Sequence, residues 1–414
     1  MRQSQLFTKT RKEAPADEVS KNAQLLIRAG FIHKEMAGVY TLLPMGLRVI
    51  KNIEEIIRKE MNAIGGQEMF LTVLQDKEIW EKTNRWSSDK VDIWFKTNLK
   101  SGGELGLGPT HEEPIARMMT NHISSYKNLP IYAYQFQTKF RNEVRAKSGI
   151  IRGREFSMKD LYSFDLDQTG LDAFYEKVAL AYKRIFNTVG IGHQTYKTFA
   201  SGGPFSKYSH EFQTVCEAGE DRIYLDEKSG IAVNKEVLND EVLKDLKLAK
   251  KDLVEKKTIE VGNIFKLGTK FSEPLGLFYT DESGVSKPVI MGSYGIGPGR
   301  VMGTIVELLS DDNGLVWPKT TAPFQVHLVR LGENQAVVSF ADNLYSDLEK
   351  RGVEVLYDDR DLRPGEKFAD SDLIGIPVRF VVSDKTVAEN KIEVKHRTLS
   401  ESELMSIKDA LKIL

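Results

Sequence analysis

Residues 139–164 read KFRNEVRAKSGIIRGREFSMKDLYSF, with Arg141, Arg145, Arg152 and Arg154 interleaved with Glu143, Glu155 and Asp160. Apolar runs on either side predict strands over 131–140 and 151–158, joined by a flexible basic loop at 145–149. This pair of strands is the strongest constraint on the fold. Much farther on, residues 291–300 read MGSYGIGPGR, a second glycine-rich site that ends in Arg300. Arginine is suited to gripping planar oxyanions at two points. Two such sites with carboxylates between them point to a pocket for a polyphosphate and a cationic small molecule. Any single Arg–Glu pair reads as a solvated hairpin, and GIGPGR alone reads as a packed glycine turn. The whole stretch carries more arginines around a Ser-Gly loop than a surface hairpin needs.

A chain of 414 residues is long enough for two or three domains with cores of their own. Its 41% hydrophobic and 28% charged content is that of a soluble globular protein. No apolar run approaches membrane-spanning length, and the polar opening MRQSQLFTKTRKE lacks a secretory core. The single cysteine, Cys216, excludes an intrachain disulfide and a multi-cysteine zinc site. These features predict a cytoplasmic protein without a membrane partner. The net charge of −1 gives no global sign of nucleic acid, so any RNA contact must come from local basic faces.

Leu47, Ile50, Ile53, Ile57 and Met61 recur at helical spacing, predicting a helix over 45–64 that Gly65-Gly66 stops. Strands are expected at 69–74, 212–216 and 223–225, and a helix at 171–189. The Lys-, Asp-, Glu- and Leu-rich stretch within 233–260 reads as a small, solvated helical excursion. WPKTTAP at 317–323 is the best linker candidate. Beyond it, strands at 325–331, 353–357, 378–383 and 392–396 alternate with helices ending near Arg351 and Gly375, and a last helix runs to Leu414. That alternation predicts a compact α/β domain with a mostly parallel sheet.

The segment 139–164 resembles motif 2 of the class II aminoacyl-tRNA synthetases, through Phe140-Arg141-Asn142-Glu143 and Arg152-Gly153-Arg154-Glu155-Phe156. Residues 290–310 resemble motif 3 and residues 45–76 motif 1. GPTHEE at 108–113 and DDRDLRPGEKF at 358–368 are similar to the prolyl-tRNA synthetases within that class. The resemblance implies an α+β catalytic domain on an antiparallel sheet over 1–320, and a smaller α/β anticodon-binding domain over 321–414. It implies a homodimer, with motif 1 building the seam. It also implies activation of L-proline by ATP, with magnesium, and transfer of the prolyl group to tRNA(Pro).

The same resemblance assigns the roles. Arg141 bridges the proline carboxylate and the α-phosphate, Arg152 holds the γ-phosphate, and Glu143 accepts from the adenine amino group. Phe156 and Arg300 sandwich the adenine. Gly292, Gly295, Gly297 and Gly299 admit the nucleotide close to the backbone. Thr110 and Glu112 take the proline ammonium, with Asp160, Tyr162, His210 and Ser293 lining the pocket and His111 and Glu113 turned away. Asp358, Arg360, Arg363, Glu366 and Lys367 read the anticodon. Four departures from the family pattern stand out: Thr72, Asp76, Ala146 and Gly299.

The interval between motifs 2 and 3 is too short for an editing domain, which implies that mischarged alanyl-tRNA is cleared by a separate deacylase. Other readings have weaker support. A threonyl-type enzyme needs cysteine and histidine zinc ligands that this chain lacks. An inactive paralogue that binds RNA or regulates would tend to lose the motif arginines. No GxGxxG opening a βαβ unit and no GxxxxGK[ST] is present.

Overall fold

The computed structural model describes residues 1–144, 146, 148–201 and 208–414, Tyr208 by its backbone alone. Arg145, one of the loop arginines, lies outside the described residues. Two compact units divide the chain: residues 36–39 with 53–304, and residues 1–35 and 40–52 with 305–414.

The first of these units is built on β1 (Gln67–Glu68), β2 (Ile131–Phe140), β3 (Glu155–Asp165), β4 (Thr195–Ser201), β5 (Tyr208–Val215), β6 (Asp221–Asp226), β7 (Ile231–Asn234), β8 (Val254–Gly268) and β9 (Ile290–Ile296). They form one sheet in the order β5-β4-β7-β6-β8-β9-β3-β2-β1, with β5 also pairing β8. The central β2, β3, β9 and β8 run antiparallel. Alternation along β9 separates its faces. Gly292, Tyr294 and Ile296 turn toward the helix α3 (Gln168–Thr188), whereas Met291, Ser293 and Gly295 turn to the other side.

Helix α3 starts where Asp167 accepts from the Gly170 N–H at 2.9 Å. It buries Leu171, Phe174, Tyr175, Val178, Tyr182 and Ile185, a stripe at helical spacing. Phe174 meets Tyr294 edge-on at 5.7 Å between ring centroids. The opposite face holds a second core of Ala133, Tyr162, Phe164 and Met291 under Ile115 and Met119 of helix α2 (Glu112–Met119).

Some expectations shift. The strand placed at 69–74 is β1 at 67–68. Residues Leu74–Asp76 pair instead with a separate three-stranded sheet. Asp76, one of the departures, accepts from the Glu78 N–H at 3.1 Å and caps the helix Lys77–Lys82. The strand expected from 151 starts at Glu155, because Gly149–Ile151 closes a 3-10 turn, and it runs on to Asp165. The excursion is helical over Asp240–Asp245, with short 3-10 turns on either side, and its last residues, 254–260, belong to β8.

In the other unit, β10 (Val326–Arg330), β11 (Val355–Asp358), β12 (Val378–Val382), β13 (Ile392–His396) and β14 (Glu403–Met405) stand in the order β11-β10-β12-β13-β14. The β10 pairings to β11 and β12 are parallel, but β12–β13 and β13–β14 are antiparallel, so the sheet is mixed rather than mostly parallel. Helices α5 (Gln335–Lys350) and α6 (Pro364–Ile374) follow β10 and β11. The last helix is short, Ile407–Ala410, with a 3-10 turn after it.

The close approach of β9 to α3 explains Gly292. A Cβ there would lie 2.3 Å from the Tyr294 hydroxyl and 2.8 Å from both Leu171 Cδ1 and Ser163 Oγ. Gly292 is thus a packing residue on the helix side, not one that admits a nucleotide. At Gly299 the nearest atom would be 4.0 Å away. Gly292→Ala is expected to lower stability by ~1–3 kcal/mol and Gly299→Ala by less than ~0.5 kcal/mol. Urea unfolding followed by circular dichroism measures both, and equal midpoints would contradict this packing account.

Candidate active site

Phe156, Met158, Asp160 and Tyr162 alternate along β3 onto the face that Ser293 and Gly295 share, since Ser293 pairs with Tyr162 and Gly295 with Asp160. A cleft opens at one end of this face. Arg141, Glu143, Arg152, Phe156, Gly295, Gly297 and Arg300 line it, together with Glu260 and Asn263 of β8.

Arg141 follows directly on β2. Its Nε donates to the Pro109 carbonyl at 3.3 Å, and its guanidinium lies 5.3 Å from the Phe156 ring centroid. Burial pushes its pKa below the ordinary arginine value; Arg300 adds to this, and Glu260, Glu143 and Glu112 oppose it. A desolvated cation beside a second cation is a receptor for an anion.

Arg300 stands in the first turn of helix α4 (Pro298–Leu309). Its Nε donates to the Ile151 carbonyl at 3.0 Å, and its Nη1 to the carbonyl of Glu260 at 2.8 Å and to that residue's carboxylate at 3.3 Å. Arg152 is more open, 43% exposed, and pairs with Glu143 at 3.2 Å and Glu220 at 2.5 Å. Arg154 serves the scaffold. It donates to the Glu143 carbonyl at 3.0 and 2.9 Å and to the Ala37 carbonyl at 2.9 Å, fixing the backbone that carries Glu143.

Farther along the same face the Glu112 carboxylate is held from three sides. Thr110 Oγ1 donates to Oε2 at 2.6 Å, Ser293 Oγ donates to Oε1 at 3.2 Å, and the Arg85 guanidinium lies 3.6 Å from Oε2. Glu112 opens helix α2, where the helix dipole favours its charge. The Tyr162 hydroxyl accepts from the His111 backbone N–H at 3.2 Å. Asp160 pairs with Lys139 at 2.7 Å and accepts from Gln135 at 2.8 Å.

His111 and Glu113 are fully buried. His111 Nε2 lies 3.0 Å from the Thr72 carbonyl and Nδ1 2.6 Å from the Lys139 ammonium. These partners require Nε2 to carry the proton. Burial first, and then Lys139, lower the ring's pKa to about 4. Arg85 donates to Glu113 at 2.8 Å, between the rings of Trp80 and Phe271 at 4.9 and 5.2 Å.

His210 does not join this group. It pairs across the ladder with Ile264, which pairs with Tyr294, so it shares the face that turns to α3. Its Nδ1 lies 2.8 Å from the Tyr175 hydroxyl of that helix, and its ring 4.5 Å from Phe199. Strand parity therefore places His210 behind the sheet, away from Thr110, Glu112 and Ser293.

In the other unit, two of the five loop residues proposed for RNA are interior. Asp358 is fully buried and takes two bonds from Arg360, at 2.8 and 2.7 Å. Lys367 is 1% exposed and donates to the Arg330 carbonyl at 2.7 Å. Both are structural, because the loop folds its charges onto itself. Arg360 also pairs with Asp370 at 2.9 Å. Arg363 and Glu366 remain exposed at the start of α6.

Sequence reasoning missed Arg85, Lys139 and Glu260. Arg85 sits in Thr83-Asn84-Arg85-Trp86, where no spacing marks it. Glu260 was absorbed into the lysine-rich excursion, and only the β8 register reveals that it faces the cleft.

Glu113 supplies a test of this electrostatic arrangement. Burial raises its carboxyl to about 7, against Arg85, which opposes. The folded state therefore holds a proton that the unfolded chain, with its ordinary pKa of about 4.5, has lost. The resulting stabilisation is complete below that value and is lost as pH rises through about 7. Glu113→Gln removes this slope of at most about 1.4 kcal/mol per pH unit. Urea unfolding from pH 5 to 8 should show the variant gaining on the parent as pH rises; parallel curves would contradict the assignment.

Residues 94–308 match the tRNA synthetase class II core domain (G, H, P, S and T), and residues 325–414 match the anticodon binding domain. The proline–tRNA ligase of Caulobacter vibrioides is 37% identical over 438 aligned positions, covering 99% of this chain and 98% of the relative. That of Hyphomonas neptunium is 38% identical, with 99% of each chain covered. Among solved structures, prolyl-tRNA synthetase from Cryptosporidium parvum, complexed with halofuginone and AMPPNP, has a TM-score of 0.79 at 17% identity, over 95% of this chain and 76% of that one. The Giardia lamblia enzyme in complex with prolyl-adenylate has a TM-score of 0.76 at 19% identity, over 94% and 74%. The fold is thus shared with both structures, and the chain belongs to the proline–tRNA ligase family of class II aminoacyl-tRNA synthetases.

Proposed function

We infer that this chain activates L-proline with ATP to prolyl-adenylate and passes the prolyl group to tRNA(Pro), releasing pyrophosphate and AMP. The observation that carries the reading is the Glu112 carboxylate, fixed by two hydroxyls and close enough to Arg141 to act on its pKa. An acceptor for a cation beside a buried guanidinium suits a zwitterionic amino acid whose carboxylate meets a phosphate.

In the first step a proline carboxylate oxygen forms a bond to the α-phosphorus while the bond to the bridging oxygen of the β-phosphate breaks. The electron pair leaves with pyrophosphate. The protein supplies position and charge rather than a nucleophile. Thr110 and Ser293 hold Glu112 so that it accepts from the secondary ammonium, with Tyr162 and the Lys139-paired Asp160 on the same wall. Arg141 neutralises charge shared by the carboxylate and the α-phosphate. Arg152, already half exposed, exchanges Glu143 and Glu220 for the γ-phosphate, which frees Glu143 for the adenine amino group. Phe156 and Arg300 hold the adenine, and Gly295 and Gly297 leave room for it. Magnesium, which neutralises polyphosphate charge when bound, would be held largely by the phosphates, with the carboxylates of Glu260 and Asp221 as the oxygen donors beside this cleft.

The catalytic part comprises residues 1–320 and the anticodon-binding part 321–414, in which Arg363 and Glu366 are the exposed charges offered to single-stranded RNA. Phe70 and Leu74 are 75% and 55% exposed just after the motif 1 helix. They support a homodimer seam there. No described helix is long and apolar enough to cross a membrane, which fits a cytoplasmic enzyme.

The interval 166–289 is filled by α3, β4 to β8 and their connections, and no separate editing domain interrupts its described residues. Clearance of alanyl-tRNA then falls to another protein, since one methylene gives only ~1–3 kcal/mol of discrimination. Purified protein should leave preformed alanyl-tRNA intact; rapid hydrolysis would overturn this point.

The main test is ATP–pyrophosphate exchange across the amino acids. Proline should support strong exchange, and Arg141→Ala should lower it ~10²–10³-fold, equivalent to about 2.7–4 kcal/mol. Exchange with every amino acid but proline, or an unaffected Arg141→Ala, would contradict the reading.

A further inference from the structure

The opening residues of the chain pack onto the loop that precedes α6, more than 340 positions away in sequence. Tyr357 N–H of β11 donates to the Met1 carbonyl at 2.8 Å, and Arg2 forms a parallel bridge with Tyr357, so this segment extends the edge of the β10–β14 sheet. Arg2 lies over the rings of Tyr357 and Tyr345 at 4.9 and 5.4 Å. Its guanidinium pairs with Asp342 at 3.1 Å and Asp359 at 3.2 Å.

Asp359 receives more. The Ser4 N–H donates to one of its oxygens at 3.0 Å and the Ser4 hydroxyl to the other at 2.8 Å. Thr10 Oγ1 donates to Asp370 at 2.6 Å, and the other Asp370 oxygen binds Arg360 at 2.9 Å, which in turn grips Asp358.

Covering a sheet edge would need only backbone bonds. Here the side chains of residues 2, 4 and 10 converge instead on the two carboxylates that flank the charged loop. Asp359 begins the loop, and Asp370, on α6, ties the next residue, Arg360, to that helix. Between them lies Arg363, the N-cap of α6, at the end of a stretch from Asp359 that has no strand or helix of its own, and Glu366 follows in the first turn of the helix.

We propose that Arg2, Ser4 and Thr10 are positioning residues for tRNA recognition, ordering the 359–366 loop so that Arg363 is presented to RNA. The proposal rests on the anticodon reading of that loop. Loss of this buttress leaves the Arg360 pairs with Asp358 and Asp370 and the Arg330 bond to the Asp359 carbonyl, but it releases the Asp359 side chain at the start of the segment that leads to Arg363. Misplacement of a contact by about 1 Å is enough to cost up to ~10²-fold.

The experiment compares an Arg2→Ala, Ser4→Ala double variant with Arg363→Ala in the full chain. Each is assayed for proline-dependent ATP–pyrophosphate exchange and for steady-state charging of tRNA(Pro). The double variant should raise KM for tRNA about tenfold or more, with kcat and exchange within about twofold of the parent, and Arg363→Ala should do the same. If Arg363→Ala impairs charging while the double variant does not, the positioning proposal is overturned and the anticodon reading stands. If neither alters charging, the reading fails and the proposal with it. If the double variant loses exchange and charging together, Arg2→Lys decides, since it keeps the charge: recovered charging with normal exchange supports the proposal, and joint loss overturns it.

Discussion

The arrangement depends on a carboxylate that is taken out of water and held still. Glu112 is only 8% exposed, and a charge so placed is tolerable only where donors meet both of its oxygens. Thr110 and Ser293 do so from positions far apart in the sequence, one beside α2 and one on β9. Bringing them together requires β9 to lie against β3 in the register that sets Ser293 opposite Tyr162. A slip of one residue would send Ser293 to the α3 side and leave Glu112 short of a donor. The chemistry of the site is thus a consequence of strand parity.

Beneath the pocket a buried polar chain links elements that would otherwise be independent. Lys139 on β2 reaches Asp160 on β3 and His111 before α2, and His111 reaches the Thr72 carbonyl. Gln135 reaches Asp160 with one atom and accepts from the Leu71 N–H with another. Every link is charge-assisted or bonds a backbone group, and each lies in a dry environment where a missing partner is costly. Such a chain holds the Thr110–Glu112 turn against the sheet, so the carboxylate is fixed by the fold itself. On the α3 side, Lys159 is equally buried and donates to the Tyr182 hydroxyl at 2.6 Å and the Tyr294 carbonyl at 3.0 Å, tying helix to sheet.

Much of this was legible in the sequence. The motif arginines Arg141, Arg152 and Arg300 converge on one cleft, as their spacing and the family resemblance implied. The helix expected at 45–64 is found at Pro44–Ala63, and the strand expected at 131–140 spans those residues. What failed has identifiable causes. His210 was assigned by motif, but a side chain's face is fixed by ladder register, which one sequence does not reveal. Asp358 and Lys367 look like surface charges until Arg360 and the Arg330 carbonyl are seen to satisfy them inside the fold. Gly292 was taken with Gly295 and Gly297 as making space for a ligand, although its neighbour is Tyr294. The C-terminal sheet seemed parallel because strand and helix alternate, but its last two pairings are antiparallel, which alternation cannot distinguish.

The most direct test is a crystal structure of the protein with a stable prolyl-adenylate analogue bound. The account predicts the pyrrolidine nitrogen within about 2.7–3.2 Å of a Glu112 oxygen. It also predicts the acyl-phosphate oxygens on Arg141 and the adenine between Phe156 and Arg300. A ligand whose ring nitrogen lies away from Glu112, with Arg141 still bonded only to the Pro109 carbonyl, would contradict it.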